Sequence, residues 1–149
     1  MPKVNFKQSL VLFFLVLSAS LSSEPINQSF FRKVAVEGTD VVAYFTEKKA
    51  IPGKREFSYE WKGAKWYFSS QKHLDLFKKS PETYTPAYGG FCAFAMSEGE
   101  RYGISPEAWH IENGKLYLNY DKEVHEEWLQ KRAELIKKAD KAWQVESKK

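Results

Sequence analysis

The chain has 149 residues, 23 Lys and Arg against 19 Asp and Glu, a net charge of +4, and 43% hydrophobic residues with a single cysteine. Its charges are interspersed apart from a lysine-rich end, which argues against nucleic-acid binding, where a basic patch or stripe is the usual signature. One cysteine excludes an intramolecular disulfide. It also excludes a CxxC dithiol of the thioredoxin kind, and it leaves a free thiol or an intermolecular partner as the readings.

Residues 1–23 read as a secretory signal. Lys3 and Lys7 give a positive start, residues 10–17 form an apolar run, and Ser20, Ser22 and Ser23 supply small residues suited to cleavage. The run is shorter than the roughly 20 apolar residues a spanning helix needs. The expectation is an exported protein, periplasmic or extracellular, with no stable membrane insertion once the signal is removed; an uncleaved anchor is the rival reading. Without residues 1–23 the charge falls by the two lysines to +2. What remains is long enough for one domain with a real core.

Residues 24–30 read as an extended lead-in, 31–145 as a single domain and 146–149 as a frayed tail. Val34 to Val36 suggests a short strand. Val41 to Phe45 is apolar but too short to classify by period. Phe57, Tyr59 and Trp61 alternate with polar residues, as do Trp66 and Phe68 after the turn at 62–65, which predicts a hairpin with an aromatic face. Ser69 or Ser70 caps a helix carrying Leu74, Leu76 and Phe77 that ends before Pro81. Pro81, Pro86, Gly89 and Gly90 mark a loop leading into Cys92.

Asn113-Gly114, between Trp109-Ile111 and Leu116-Leu118, is a strong short hairpin signal. Asp121 opens a long helix to about Trp143 whose apolar stripe is Val124, Trp128, Leu135, Ile136, Ala139 and Trp143. Acids at its start and lysines near its end match the helix dipole. The predicted fold class is α+β: a small antiparallel sheet built from two hairpins and covered by helices.

Cys92 is the candidate catalytic residue. Gly89 and Gly90 allow a tight turn before it, and a thiol in the first turn of a helix feels the positive end of the dipole, which favours the thiolate. The competing reading is a packed core cysteine. Tyr88, Gly89, Gly90 and Phe91 are candidate binding residues around the thiol, the glycines by opening space for a ligand and exposing backbone N–H groups, or else by simply making a turn. Asp40 is a candidate as well, either as a proton acceptor or, more simply, bonded to its own backbone turn. No Ser-His-Asp elbow and no phosphate-binding glycine loop occurs.

The order Gly38-Thr39-Asp40-Val41-Val42-Ala43-Tyr44-Phe45, Lys62 through Ser70, Phe77 with Pro81 and Tyr84, Tyr88-Gly89-Gly90-Phe91-Cys92-Ala93, Glu107-Ala108-Trp109 and Gly114 to Asn119 resembles the YHS-domain family, in its exported single-domain branch. The resemblance implies that some relatives of that branch carry selenocysteine at the position of Cys92, which points to thiol redox chemistry with an external thiol or redox partner protein and no resident cofactor. It also implies a rival. Metal-binding members of the broader group carry Cys-x-x-x-Cys at the positions that here read Ser69 and His73. Cys92 with His73 is therefore the candidate soft-metal pair, for copper or zinc.

Overall fold

The computed structural model describes residues 24–149, so the predicted signal segment lies outside the described residues. Its architecture is α+β. Helix α1 (Val41–Thr46) is followed by a hairpin of β1 (Lys54–Trp61) and β2 (Ala64–Phe68), then by α2 (Gln71–Lys79), α3 (Pro81–Tyr84) and α4 (Ala93–Ser97). A second hairpin, β3 (Trp109–Glu112) and β4 (Lys115–Leu118), leads into α5 (Lys122–Glu146). None of the described helices is long and apolar enough to cross a membrane.

Local chemistry sets these boundaries. Asp40 caps α1, accepting from the amides of Val42 and Ala43, which turns the unclassified run Val41 to Phe45 into a helix. Ser70, rather than Ser69, caps α2 through the His73 amide. Asp121 caps α5 through the Val124 amide. Both hairpins turn on two left-handed residues, Lys62-Gly63 and Asn113-Gly114. This geometry matches the right-handed twist of paired strands.

The first hairpin pairs Trp61 with Ala64 and Tyr59 with Trp66, and its register slips between Lys54 and Ser58. The two hairpins are separate two-stranded sheets, not one continuous sheet. Tyr44 of α1 reaches the second hairpin: its ring lies 5.2 Å from that of Trp109, and its hydroxyl donates to the Pro106 carbonyl just before β3.

The core has two parts. Val41, Val42, Tyr44, Trp66, Phe68 and Phe77 fill the space between α1, the first hairpin and α2. Tyr88, Met96, Tyr117, Trp128, Leu135 and Ala139 fill the space under α5, on the stripe read from the sequence.

The lead-in at 24–30 is docked: Ile26 is buried, and Asn27 exchanges backbone hydrogen bonds with Gly89 and Val36. Val34 to Val36 forms isolated bridges and a 3-10 turn instead of a strand. At the other end α5 runs through Glu146, where Arg101 holds the Glu146 carbonyl and lies 3.8 Å from its carboxylate.

A masked thiol beneath a pocket

The loop before Cys92 winds through three successive left-handed residues, Tyr88, Gly89 and Gly90. Tyr88 is not a glycine, and what holds it there is its side chain, whose hydroxyl donates to the Asp140 carboxylate at 2.9 Å. Gly89 is needed because a Cβ there would lie 2.0 Å from the Pro25 carbonyl oxygen. The space these glycines leave is therefore filled by the chain's own lead-in, and Asn27 also donates its side-chain amide to Gly90. Phe91 is half-buried against Trp143, beneath Arg101. Tyr88, Gly89, Gly90 and Phe91, candidate binding residues or a plain turn in the sequence, contact α5 and residues 25–27.

Cys92 is the N-cap of α4. It is 1% exposed. Its Sγ donates to Asn119 Oδ1 at 3.7 Å, and the same oxygen accepts the Phe94 amide at 3.1 Å. Asn119, fully buried at the end of β4, is locked in turn by backbone bonds to Ala108 and Ser105. Its Nδ2 donates to His125 Nδ1 at 3.3 Å, which leaves the imidazole proton on Nε2. Burial first, and then neighbouring His110, push the His125 pKa down, so the ring is neutral.

The thiol does not have the depressed pKa that its place at a helix start suggests. Burial pushes it up, outweighing the amides of Ala95, Tyr120 and Phe94 beside the sulfur, which pull the other way, while Asp121 adds a smaller upward push. The physical reason is that α4 is only five residues long and the sulfur is dry, so desolvation dominates the dipole.

A cavity of about 420 Å³ lies over Cys92. Phe94, Ala95 and Val124 form its inner wall, and the exposed rings of Tyr102 and Tyr120, 6.5 Å apart, stand at its mouth with Glu98 and Glu100. Asn119, Tyr102 and Tyr120 were not singled out from the sequence. Only Asn119 had a signal there, as the last residue of the Gly114 to Asn119 segment.

Asp40 and His73 belong to a different, structural cluster. Asp40 Oδ1 caps α1, and Oδ2 accepts from the Ser69 amide at 2.8 Å, the Ser69 hydroxyl at 2.6 Å and His73 Nδ1 at 2.6 Å. His73 Nε2 faces Thr46 Oγ1 at 3.2 Å and Glu47 Oε1 at 3.4 Å. Both ring nitrogens are thus committed, and none of these bonds reaches Cys92. The hydrogen bonds of the His73 ring run to Asp40, Ser69 and Thr46, and that of the Cys92 sulfur runs to Asn119.

A family model for the YHS domain matches residues 42–88. No curated protein and no solved structure matches the chain. The matched segment runs from α1 through both strands of the first hairpin, α2 and α3 to the left-handed turn, and stops short of Cys92, Asn119 and the cavity. The aromatic hairpin and the Tyr88 turn fall within that segment and the Asp40 cap lies against it, so the chain carries a YHS domain over residues 42–88.

Proposed function

We propose that the chain is an exported thiol-redox protein working through Cys92. The observation that carries this reading is the placement of the one thiol in the chain, on the wall of a cavity of about 420 Å³ and beside the amides of Phe94, Ala95 and Tyr120. Those amides are fixed before any ligand arrives. When the thiolate forms they are already aimed at its charge.

The chemistry is thiol–disulfide exchange with a small disulfide. The Cys92 thiolate attacks one sulfur of the disulfide, the Cys92 S–S bond forms and the substrate S–S bond breaks. The departing sulfur leaves as a thiolate and takes up the proton that Cys92 gave up. With no second cysteine in the chain, an external thiol then attacks the mixed disulfide and returns Cys92 to its thiol form. With Cys92 1% exposed, partner binding in the cavity is the step that gives access to the sulfur in this reading.

Burial favours a second reading, a non-catalytic ligand-binding module in which the cavity holds a small molecule and Cys92 only packs beneath it. One experiment separates the two. Native protein is incubated with oxidised glutathione, Cys92 adducts are followed by intact mass, and the alkylation rate is compared with the rate of global unfolding. The redox reading expects a glutathione adduct that forms faster than the protein unfolds and is absent in Cys92→Ser. Adduct formation only at the unfolding rate refutes it.

A further inference from the structure

The turn at residues 29–34 carries a feature that the thiol site does not use. The Ser29 amide donates to the Val34 carbonyl and the Lys33 amide returns to Ser29, closing a tight turn with Lys33 in the left-handed region. At its tip Phe30 and Phe31 are 86% and 92% exposed, packed edge to face with ring centres 5.1 Å apart. Few soluble domains leave two adjacent phenyl rings almost wholly in water without a use for them. The rings also wall an open apolar groove of about 540 Å³ floored by Val34, Pro52 and Tyr67.

The charge beside the rings is mainly positive. Arg32 and Lys33 follow the rings directly, and Lys65 is brought alongside because its amide donates to the Lys33 carbonyl at 2.7 Å. All three are exposed, and no ion pair among the described residues uses them. Glu37 is the acid that lines the groove. Apolar rings presented beyond a collar of cations match the interface of an anionic bilayer: the rings enter the headgroup–acyl boundary while the cations stay at the phosphates. A second copy fits less well, because tip-to-tip packing would bring Arg32 and Lys33 against their own equivalents.

We infer that the Phe30-Phe31 tip, with Arg32, Lys33 and Lys65, is a peripheral docking site for an anionic lipid surface. Each cation near such a surface strengthens partitioning about fivefold, and the two rings together by at least about tenfold. The binding is reversible and salt-sensitive.

The test uses the protein in the form the cell accumulates, its N-terminus read by intact mass. Its co-sedimentation is measured with vesicles of equal parts phosphatidylglycerol and phosphatidylcholine, and with phosphatidylcholine alone. The wild type should favour the anionic vesicles and be released by salt. Phe30→Ser with Phe31→Ser should lower partitioning at least about tenfold, and Arg32→Gln with Lys33→Gln by about twenty-fivefold. These positions are on the surface, so near-ultraviolet circular dichroism should be unchanged. Absence of binding to the anionic vesicles overturns the inference. So does binding that the ring substitutions leave intact, or ring-dependent self-association without vesicle binding.

Discussion

Replacing Asp40 with Asn changes one atom at the most heavily bonded buried side chain of the domain. The substituted carboxamide can keep its oxygen toward the α1 amides, but its NH₂ then faces the Ser69 amide, the Ser69 hydroxyl and His73 Nδ1, which all donate to Asp40 Oδ2 at 2.6–2.8 Å in the native protein. Three charge-assisted hydrogen bonds at about 1.5–3 kcal/mol each set the upper bound. Rotation of the Ser69 hydroxyl and a shift of the His73 proton to Nε2 recover part of that, leaving a net cost of about 2–4 kcal/mol. Total stability for a domain of this kind is about 5–15 kcal/mol. The assay is urea unfolding followed by tryptophan fluorescence, which reports on the fully buried Trp66 and Trp128. The midpoint should fall by about 1–3 M at an unchanged slope. A cost below about 0.5 kcal/mol would refute the claim that this carboxylate ties α1 to the β2–α2 junction. A double-mutant cycle with His73→Asn should give a coupling of at least about 1 kcal/mol.

Gly89→Ala places a Cβ against the Pro25 carbonyl at a left-handed position; we expect a loss of about 2–3 kcal/mol and, in limited proteolysis, earlier cleavage around residues 27–30. Asn119→Asp puts a carboxylate where Oδ1 accepts from the sulfur, so the thiol pKa should rise further and native alkylation at neutral pH should slow about tenfold, one pKa unit's worth. Because burial raises the folded thiol pKa above its ordinary value, the unfolded chain releases that proton first. The stability linked to Cys92 is fully present below about pH 8.5 and is lost as pH rises through the folded pKa. Chemical denaturation of wild type and Cys92→Ser from about pH 7 to about pH 10, a window that brackets the ordinary thiol pKa, should show a steeper decline in the wild type. Tyr44 and Tyr88, also raised by burial, add a decline common to both proteins at higher pH.

Much of the fold was legible because its signals are local. Asn113-Gly114, the alternation of Phe57, Tyr59 and Trp61, the serine before α2 and the α5 stripe each specify their element within a few residues. Val41 to Phe45 was not readable, because a helix of six residues carries too little periodicity; what makes it a helix is Asp40, whose bonds reach on to Ser69 and His73. The site was half legible. Cys92 and Asp40 stood out by residue type, yet their roles depend on contacts distant in sequence, with Asn119 for the thiol and His73 for the carboxylate. Burial of the sulfur is a property of β4 and α5 packing over α4, which nothing next to Cys92 records. The glycine pair looked like room for a ligand because its occupant, Pro25 to Asn27, lies far upstream.

That occupant sets an order on folding. Asn27 reaches Gly90 across 63 residues, and Gly89 meets both Pro25 and the ring of Trp143. During synthesis the first stretch of the domain can form its local bonds to residues 34–36 early, but its seat against residues 89–90 is complete only when α5 arrives. Such non-local closure is slow. The stretch at residues 25–27 is therefore among the last parts of the domain to close.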